Sequence, residues 1–216
     1  MPTPERLADE IDRQIRALPV PGVAPARSVR RDYTRRLRTA DAATVLAAAE
    51  ALLGRQRWVA YELIRHHQGA MAALDAERVE RLGAGLAGWG DVDAFACILA
   101  GHAWRAGRIG DDTVREWACS EDRWWRRTAL VCTTRLDDTE RTVDICALLA
   151  SDRDPMVVKA LSWALRELST KDAAATESFL ERHDVAALVR REVRNKLATG
   201  LKNPRPAARR SARPDA

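Results

Sequence analysis

The stretch with the clearest chemical potential is Trp89-x-x-x-Asp93, which follows a glycine-rich break in the helical pattern. Residues four apart share one face of a helix, so a helix that has begun by Trp89 places the indole directly beside the Asp93 carboxylate. The first turn of a helix offers unpaired N–H groups and the positive end of the helix dipole, which favour an ionised carboxylate. This stretch predicts an active site. The alternative is an acid that only opens a helix, next to a tryptophan of the core.

Two later segments carry further candidates. Residues 123–127, Arg-Trp-Trp-Arg-Arg, place three arginines and two indoles within about one and a half helical turns. Phosphate binding by Arg126 and Arg127 is the functional interpretation, and a solvated helix face with snorkelling arginines is the alternative. For Arg127 a structural ion pair with Asp93 is a second alternative. Further on, Trp163 and Arg166 are three residues apart, where a core tryptophan beside a surface arginine is the competing interpretation.

Several other classes of site are not indicated. Residues 83–88 match the glycine pattern of a dinucleotide-binding turn, but a charged helical pattern precedes them where that motif requires a strand. The four histidines and four cysteines have no metal-ligand spacing, so we expect no metal and no cofactor. The cysteines lie in apolar helical patterns and predict buried, reduced thiols of a cytoplasmic protein. No apolar run is long enough to span a membrane, and no export signal is evident.

The apolar periodicity predicts an all-α fold of roughly eleven or twelve helices. Residues 41–53 place their apolar side chains on one stripe, and Gly54 is expected to stop that helix. Helix starts are predicted where a capping residue precedes an apolar pattern, at Ser120, Asp137, Asp154 and Asp184. Pro155 after Asp154 strengthens that start, because the first helical position needs no N–H.

Two segments of the second half resemble each other. The segment that begins at Ser120 aligns with the one that begins at Ser151, at an offset of 31 residues. A helix-pair period of about thirty to forty residues is typical of an α-solenoid, whose stacked pairs form a concave surface. A compact orthogonal bundle is the alternative. The aligned positions differ at Arg127, which corresponds to Val158.

Charge and composition place a boundary near Gly200. The chain has a net charge of +5, but its tail over residues 201–216 contains five basic residues and one acidic residue, so the rest is nearly neutral. The tail combines prolines with arginines and has few apolar residues, which predicts a disordered basic segment over residues 200–216. Residues 1–199 are expected to form one helical domain.

The ordered set of these motifs resembles the AlkD-type alkylpurine DNA glycosylases of the DNA alkylation repair family. That set is Trp89-x-x-x-Asp93, then Arg126-Arg127-Thr128-Ala129-Leu130, then Trp163-x-Leu165-Arg166-Glu167, then Arg190-Arg191-Glu192-Val193. The resemblance extends from about the Gly22-Val23-x-Pro25 turn to Leu197, which is most of the chain. It implies an α-solenoid of stacked antiparallel HEAT-like helix pairs with a concave DNA-binding face.

The resemblance also implies an activity, namely excision of N3- or N7-alkylated purines from double-stranded DNA without base flipping. It places Asp93, Trp89 and Trp163 at the lesion nucleotide as the catalytic set. It also implies that arginines contact the DNA backbone, and we expect these to be Arg126, Arg127, Arg166 and Arg191. The protein is expected to be a monomer in the cytoplasm, associated with the nucleoid when it binds DNA.

The chain departs from this family at its amino end. Relatives commonly begin with a helical, aromatic-bearing segment, whereas residues 13–27 contain three prolines and no aromatic residue. This segment predicts a shortened loop, which affects contacts on the far side of the DNA. A second function class therefore stays open, a non-catalytic HEAT-like solenoid that binds DNA structure or a protein partner. The central acid favours the enzyme, because a groove that only binds phosphates gains nothing from Asp93.

Overall fold

All regular secondary structure in the computed structural model is helical over residues 2–203, the part of the chain that it describes, and this confirms the predicted all-α class. The first half contains α1 (Pro4–Arg16), α2 (Val23–Arg36), α3 (Ala42–Leu52), α4 (Arg57–Arg65), α5 (Gln68–Ala72) and α6 (Ala76–Gly83). The second half contains α7 (Trp89–Ala94), a π-helical segment (Phe95–Ala100), α8 (Gly101–Arg105), α9 (Asp111–Ala118), α10 (Arg123–Thr133), α11 (Thr139–Leu148), α12 (Pro155–Leu168), α13 (Ala173–Arg182) and α14 (Ala187–Thr199).

The helix α7, the π-helical segment and α8 are continuous, because the residues at both junctions keep right-handed helical dihedral angles. A π-turn widens a helix locally and is frequent near functional sites. Gly101 ends this wide turn, and a Cβ there would lie 2.9 Å from the Ala96 carbonyl oxygen and 3.0 Å from the Arg135 Cβ. The junction therefore needs glycine because of its neighbours.

The predicted helix starts hold to within three residues. Asp154 caps α12 as predicted, with its side chain accepting a hydrogen bond from the Met156 N–H at 2.8 Å. The capping residues of α10 and α11 are Asp122 and Asp138, one or two residues after the predicted positions. The N-cap of α14 is Ala186, two residues after the start predicted at Asp184.

The loop predicted over residues 13–27 is shorter in the structure. Helix α1 continues to Arg16, and α2 begins at Val23, so only residues 17–22 connect them. Pro25 lies in the first turn of α2, where a missing backbone N–H costs no intrahelical hydrogen bond. One of the three prolines that predicted a loop, Pro25, therefore lies in the first turn of a helix.

The helices of the second half form two contacting series. In the first series, α10 packs against α12 and α12 packs against α14. In the second series, α9 contacts α10, α11 contacts α10 and α12, and α13 contacts α12. The starts of the first series are 32 residues apart at Arg123, Pro155 and Ala187. The structural period is therefore 32 residues, one more than the offset predicted from the sequence, and it includes a third copy.

An aromatic cluster lies beneath the start of this region. The Phe95 ring centroid is 5.3 Å from Tyr61 and 6.1 Å from Trp125, and the Trp117 ring lies 5.0 Å from Trp125. Such offset and edge contacts add to the free energy of burial. Gly83 closes one side, since a Cβ there would lie 2.6 Å from the Trp125 ring and 2.9 Å from Phe95. The end of α6 is thereby held against the π-helical segment.

The same cluster fixes the loop that leads into α7. The Tyr61 hydroxyl donates to the Leu82 carbonyl oxygen at 3.0 Å, and Arg57 donates to the Ala84 carbonyl oxygen at 3.0 Å. Burial raises the pKa of Tyr61 to about 12, so the hydroxyl keeps its proton for this bond. Gly85 has a φ of +70°, a left-handed conformation that favours glycine. These contacts fix the position of the loop, and the chain turns sharply at Gly85 before α7 begins.

The cysteines differ in their exposure. Cys132 and Cys146 are buried and burial raises the pKa of both thiols, whereas Cys119 is exposed and the burial predicted for it is wrong. Within residues 2–203, no group of three or more histidine, cysteine, aspartate or glutamate side chains has an arrangement that could hold a metal ion. In the same range, no helix is both long enough and apolar enough to cross a membrane.

The close approach at Gly83 gives a stability prediction. We expect Gly83→Ala to lower the free energy of unfolding by about 1–3 kcal/mol, because the added methyl group forces the Trp125 and Phe95 rings apart. Gly54→Ala is the matched control, since a Cβ at Gly54 meets nothing within 4 Å. Urea unfolding of both variants measures the difference. Equal stability of the two variants would show that the aromatic cluster is not tightly packed.

Candidate active site

Helix α7 begins at Trp89, as the predicted sharing of one face with Asp93 requires. Gly88 is the N-cap and supplies no side-chain hydrogen bond, so the first turn is capped only by backbone. The Trp89 side chain is 62% exposed, which is unusual for an indole and marks it as available to a partner. The interpretation of this tryptophan as a core residue is therefore wrong.

Asp93 and Arg127 form a bidentate ion pair between α7 and α10. The Arg127 Nε donates to Asp93 Oδ1 and the Arg127 Nη2 donates to Asp93 Oδ2, both at 2.8 Å. The Arg127 Nη1 donates to the Met156 carbonyl oxygen at 2.6 Å, which adds the first turn of α12 to the network. Parallel bonds from a guanidinium fix both the position and the plane of a carboxylate.

The two partners of this ion pair differ in exposure. The Arg127 side chain is 7% exposed, whereas the Asp93 side chain is 20% exposed. The arginine is thus the buried member, and the carboxylate has the edge that reaches solvent. Each carboxylate oxygen retains a further lone pair beyond the bond from Arg127, so Asp93 can accept a hydrogen bond from a ligand or a water.

The ion pair forms part of a cleft with a volume of about 370 Å³, lined by residues of α7, α10, α12 and α14 and by the segment after α14. The lining side chains are Trp89, Asp93, Arg127, Met156, Lys159, Trp163, Arg166, Leu188, Glu192 and Lys202. All three residues predicted to be catalytic are in this set. Residues more than 70 positions apart in the chain are thus brought to one surface.

The second indole of the cleft is held from its own helix. Trp163 is half-buried, and its Nε1 donates to Glu167 Oε1 at 3.2 Å, one turn later in α12. Its ring is packed against the core while one part remains accessible, which explains how the residue satisfies both the core and the cleft interpretations.

A second carboxylate lies on the α14 side of the cleft. Glu192 is buried and accepts a hydrogen bond from the Ser162 hydroxyl at 2.6 Å. Its carboxylate also lies 3.8 Å from Arg166 Nε and 3.4 Å from Lys202 Nζ. Two cations around one buried acid leave a net positive charge on this side, opposite the Asp93 carboxylate.

The predicted arginines occupy different places. Arg127 and Arg166 line the cleft, whereas Arg126 and Arg191 are not among its lining residues. Arg126 is bound to the Asp152 carboxylate at 2.8 Å and to two backbone carbonyl oxygens, so its guanidinium joins neighbouring loops. Arg191 is exposed on α14, beside the buried Glu192.

Sequence reasoning did not assign five residues of the cleft, which are Met156, Lys159, Leu188, Glu192 and Lys202. Lys159 is exposed and lies four residues before Trp163, so helical spacing could have placed both on one face of α12. Glu192 was visible only as the neighbour of Arg191, and its burial depends on the packing of α14 against α12. Lys202 lies beyond the helix end at Gly200. Of the tail predicted over residues 200–216, residues 204–216 lie outside the described residues.

The charges of the cleft suit a ligand that carries both signs. The Asp93 carboxylate and the electron-rich faces of two indoles favour a positively charged group between them. Lys159, Arg166 and Lys202 favour an anion on the adjoining side. A cationic centre attached to an anionic backbone meets both requirements.

The ion pair predicts coupled effects on stability. We expect Asp93→Asn and Arg127→Met each to lower the free energy of unfolding by about 2 kcal/mol, because each leaves its partner without a charged counterpart. The double variant is expected to lose less than the sum of the two single variants, by about 1–3 kcal/mol. Urea unfolding of the four proteins measures this coupling, and strictly additive losses would contradict a direct pair.

The comparisons with known proteins identify the family of this chain. The family model for the DNA alkylation repair enzyme matches residues 19–197, which includes every described helix from α2 onward except the last residues of α14. A search of curated proteins and a search of solved structures each gave no significant match. Because the family model covers most of the chain, this protein belongs to the DNA alkylation repair enzyme family.

Proposed function

We propose that this protein is a monofunctional DNA glycosylase that hydrolyses the N-glycosidic bond of cationic N3- or N7-alkylpurines in duplex DNA. Membership of the DNA alkylation repair family supports a role in DNA repair. The observation that carries the more specific proposal is the Asp93 carboxylate, oriented by Arg127 and placed in one cleft with the exposed Trp89 and with Trp163.

The chemistry follows from the charge of the substrate. Alkylation at N3 or N7 gives the purine a positive charge, so the base leaves without protonation by a general acid. As the C1′–N bond breaks, its electron pair goes to the purine, and positive charge develops on the deoxyribose as in other glycoside cleavages. Asp93 stabilises that charge electrostatically, and the two indole faces contribute cation–π attraction.

Asp93 also orients the nucleophile. A carboxylate oxygen with a free lone pair accepts a hydrogen bond from water and directs the water oxygen toward C1′. The water oxygen forms the new bond to C1′, and its proton passes to Asp93 or to solvent. The products are the free alkylpurine and an abasic deoxyribose. The lesion stays in the duplex in this scheme, because the cleft contacts the sugar and does not enclose the base.

We assign Arg127 a positioning role in this reaction. Its Nε, Nη1 and Nη2 are all engaged with Asp93 and with the Met156 carbonyl oxygen, and its side chain is buried. A guanidinium held in this way prevents rotation of the carboxylate at low entropic cost during the reaction. This assignment favours the ion-pair interpretation of Arg127 over a direct phosphate contact.

The DNA backbone is proposed to lie along the cationic side of the cleft. The exposure of Lys159 and Arg191, and the presence of Lys159, Arg166 and Lys202 in the cleft lining, support these four side chains as the phosphate contacts. Arg126 contributes to the positive electrostatic potential that attracts DNA at long range, while its guanidinium remains bound to Asp152. In this proposal the successive helix pairs form a HEAT-like solenoid, and the cleft lies on its concave face.

The charge of Asp93 gives the principal test. We expect Asp93→Asn to abolish most release of 7-methylguanine from duplex DNA, because the amide keeps the shape of the side chain without its negative charge. DNA affinity is expected to stay similar or to rise slightly. Asp91→Asn is the matched control, since Asp91 is an exposed carboxylate on the same helix and does not line the cleft.

Single-turnover excision assays, performed well below the unfolding temperature of each variant, measure this effect. Release by Asp93→Asn at the wild-type rate would contradict the catalytic assignment. If the wild-type protein itself releases no base above the spontaneous background, a non-catalytic protein that binds DNA structure through the same cleft becomes the better proposal.

The salt dependence of binding separates phosphate contacts from the positioning role. We expect Lys159→Ala to reduce the slope of log affinity against log salt concentration by about one unit, because one phosphate contact is lost. Arg127→Met is expected to lower the excision rate and to leave that slope unchanged. A reduced slope for Arg127→Met would show that Arg127 contacts a phosphate directly.

A further inference from the structure

A second pocket lies at the opposite end of the continuous helix that begins at Trp89. It has a volume of about 560 Å³ and is formed by the end of α4, by α5 and by the end of α8 with the following turn. The helix from Trp89 to Arg105 places this pocket on the order of 20 Å from the candidate active site. None of its lining residues lines the Asp93 cleft. We call this feature the α4–α8 pocket.

The α4–α8 pocket is strongly cationic. Three arginines line it, Arg65, Arg105 and Arg108, together with His66 and His102. Among the described residues, none of these three guanidinium groups makes a salt bridge or a side-chain hydrogen bond. The three arginines of α10 differ in this respect, because each is paired with an aspartate.

The acids nearest to the pocket are already paired with other cations. Glu62, which lies 4.0 Å from His66, forms its ion pair with Arg30. Asp137, which contributes to the field at Arg105, is bound by Lys171 at 2.8 Å. The arginines of the pocket are therefore not neutralised by these neighbours, and they create a local positive potential.

The positive potential of these arginines contributes to a lowered pKa of His102. Burial, followed by the charges of Arg65, Arg105 and Arg135, lowers the pKa of His102 to about 4, so the imidazole is neutral at physiological pH. Its Nδ1 is buried and has no hydrogen-bond partner in residues 2–203. The described protein atoms thus leave one polar atom of this half-buried side chain unpaired.

Helix capping gives the ordinary explanation for arginines in such positions. Arg65 and Arg105 lie in the last turns of α4 and α8, where a cation interacts favourably with the helix dipole. That explanation does not extend to Arg108, which follows α8, or to the convergence of three guanidinium groups on one concavity. Three like charges repel one another, and a shared anionic ligand removes that repulsion.

We propose that the α4–α8 pocket binds a compact polyanion of the phosphate class, either inorganic pyrophosphate or the polyphosphate of a nucleotide. Guanidinium groups match phosphate oxygens in geometry and charge. A concavity of this volume is in the range of small-molecule sites. Three guanidinium groups around one concavity match the clustered charges of a compact ligand better than those of a DNA duplex, whose phosphates are spread along an extended backbone.

The test uses the full chain, with pyrophosphate and ATP as separate ligands in isothermal titration calorimetry. We expect saturable binding of one equivalent of pyrophosphate by the wild-type protein. Arg105→Ala combined with Arg108→Ala should weaken binding at least about tenfold, since two charge-assisted contacts are lost. Both residues are exposed, so the double variant should fold, and thermal unfolding checks this.

The matched control is Arg27→Ala combined with Arg38→Ala, which removes the same charge from exposed positions outside the pocket. Its affinity for pyrophosphate is expected to stay within about twofold of wild type, because distant surface charges are screened. If ATP binds and pyrophosphate binds at least as well, the phosphates are the recognised group. Tighter binding of ATP alone would identify a nucleotide as the source.

Three results would overturn the proposal. These are no saturable binding of either ligand by the wild-type protein, equal weakening in both double variants, and a loss of duplex DNA affinity confined to the pocket variant without pyrophosphate binding. The last result would identify the arginines as a second contact for DNA. Excision of alkylpurines plays no part in this test, so its outcome is independent of the proposed enzyme activity.

Discussion

The bidentate ion pair between Asp93 and Arg127 is the interaction on which the candidate site depends. It joins α7 to α10, and the third bond from Arg127 to the Met156 carbonyl oxygen adds α12. A lone carboxylate at the start of a short helix would rotate freely, and a lone buried guanidinium would cost several kcal/mol in desolvation. Together they give a fixed acid with one accessible edge. The buried member is the cation, which leaves the negative charge facing the cleft.

The rest of the structure holds α7, α10 and α12 in fixed relative positions. The aromatic cluster around Phe95 fixes the wide π-helical turn that follows α7, and the hydrogen bonds of Arg57 and Tyr61 fix the loop that precedes it. The 32-residue repeat then places α10, α12 and α14 side by side, so that equivalent helix faces contribute to one cleft. The π-turn also separates two ends of one helix that differ in chemistry. One end presents a carboxylate, and the other presents unpaired guanidinium groups.

Local patterns in the sequence were enough for the helical class, for most helix starts and for the sharing of one face by Trp89 and Asp93, because these depend on spacings within a few turns. The burial of Glu192 and the presence of Lys202 in the cleft were not predictable in that way, since both depend on packing between helices distant in sequence. Arg127 shows the limit most clearly. Its residue type left phosphate binding and an ion pair with Asp93 both open, and only the packing of α7 against α10 decides for the carboxylate 34 positions earlier in the chain.

The central claim is that water cleaves the glycosidic bond at the Asp93 cleft. The most direct measurement is incubation of the wild-type protein with duplex DNA containing a single 7-methylguanine, followed by mass spectrometry of both products. We predict free 7-methylguanine well above the spontaneous background, together with DNA whose mass corresponds to a hydrolysed abasic deoxyribose without a protein adduct. Release no faster than background from DNA that the protein demonstrably binds would contradict it.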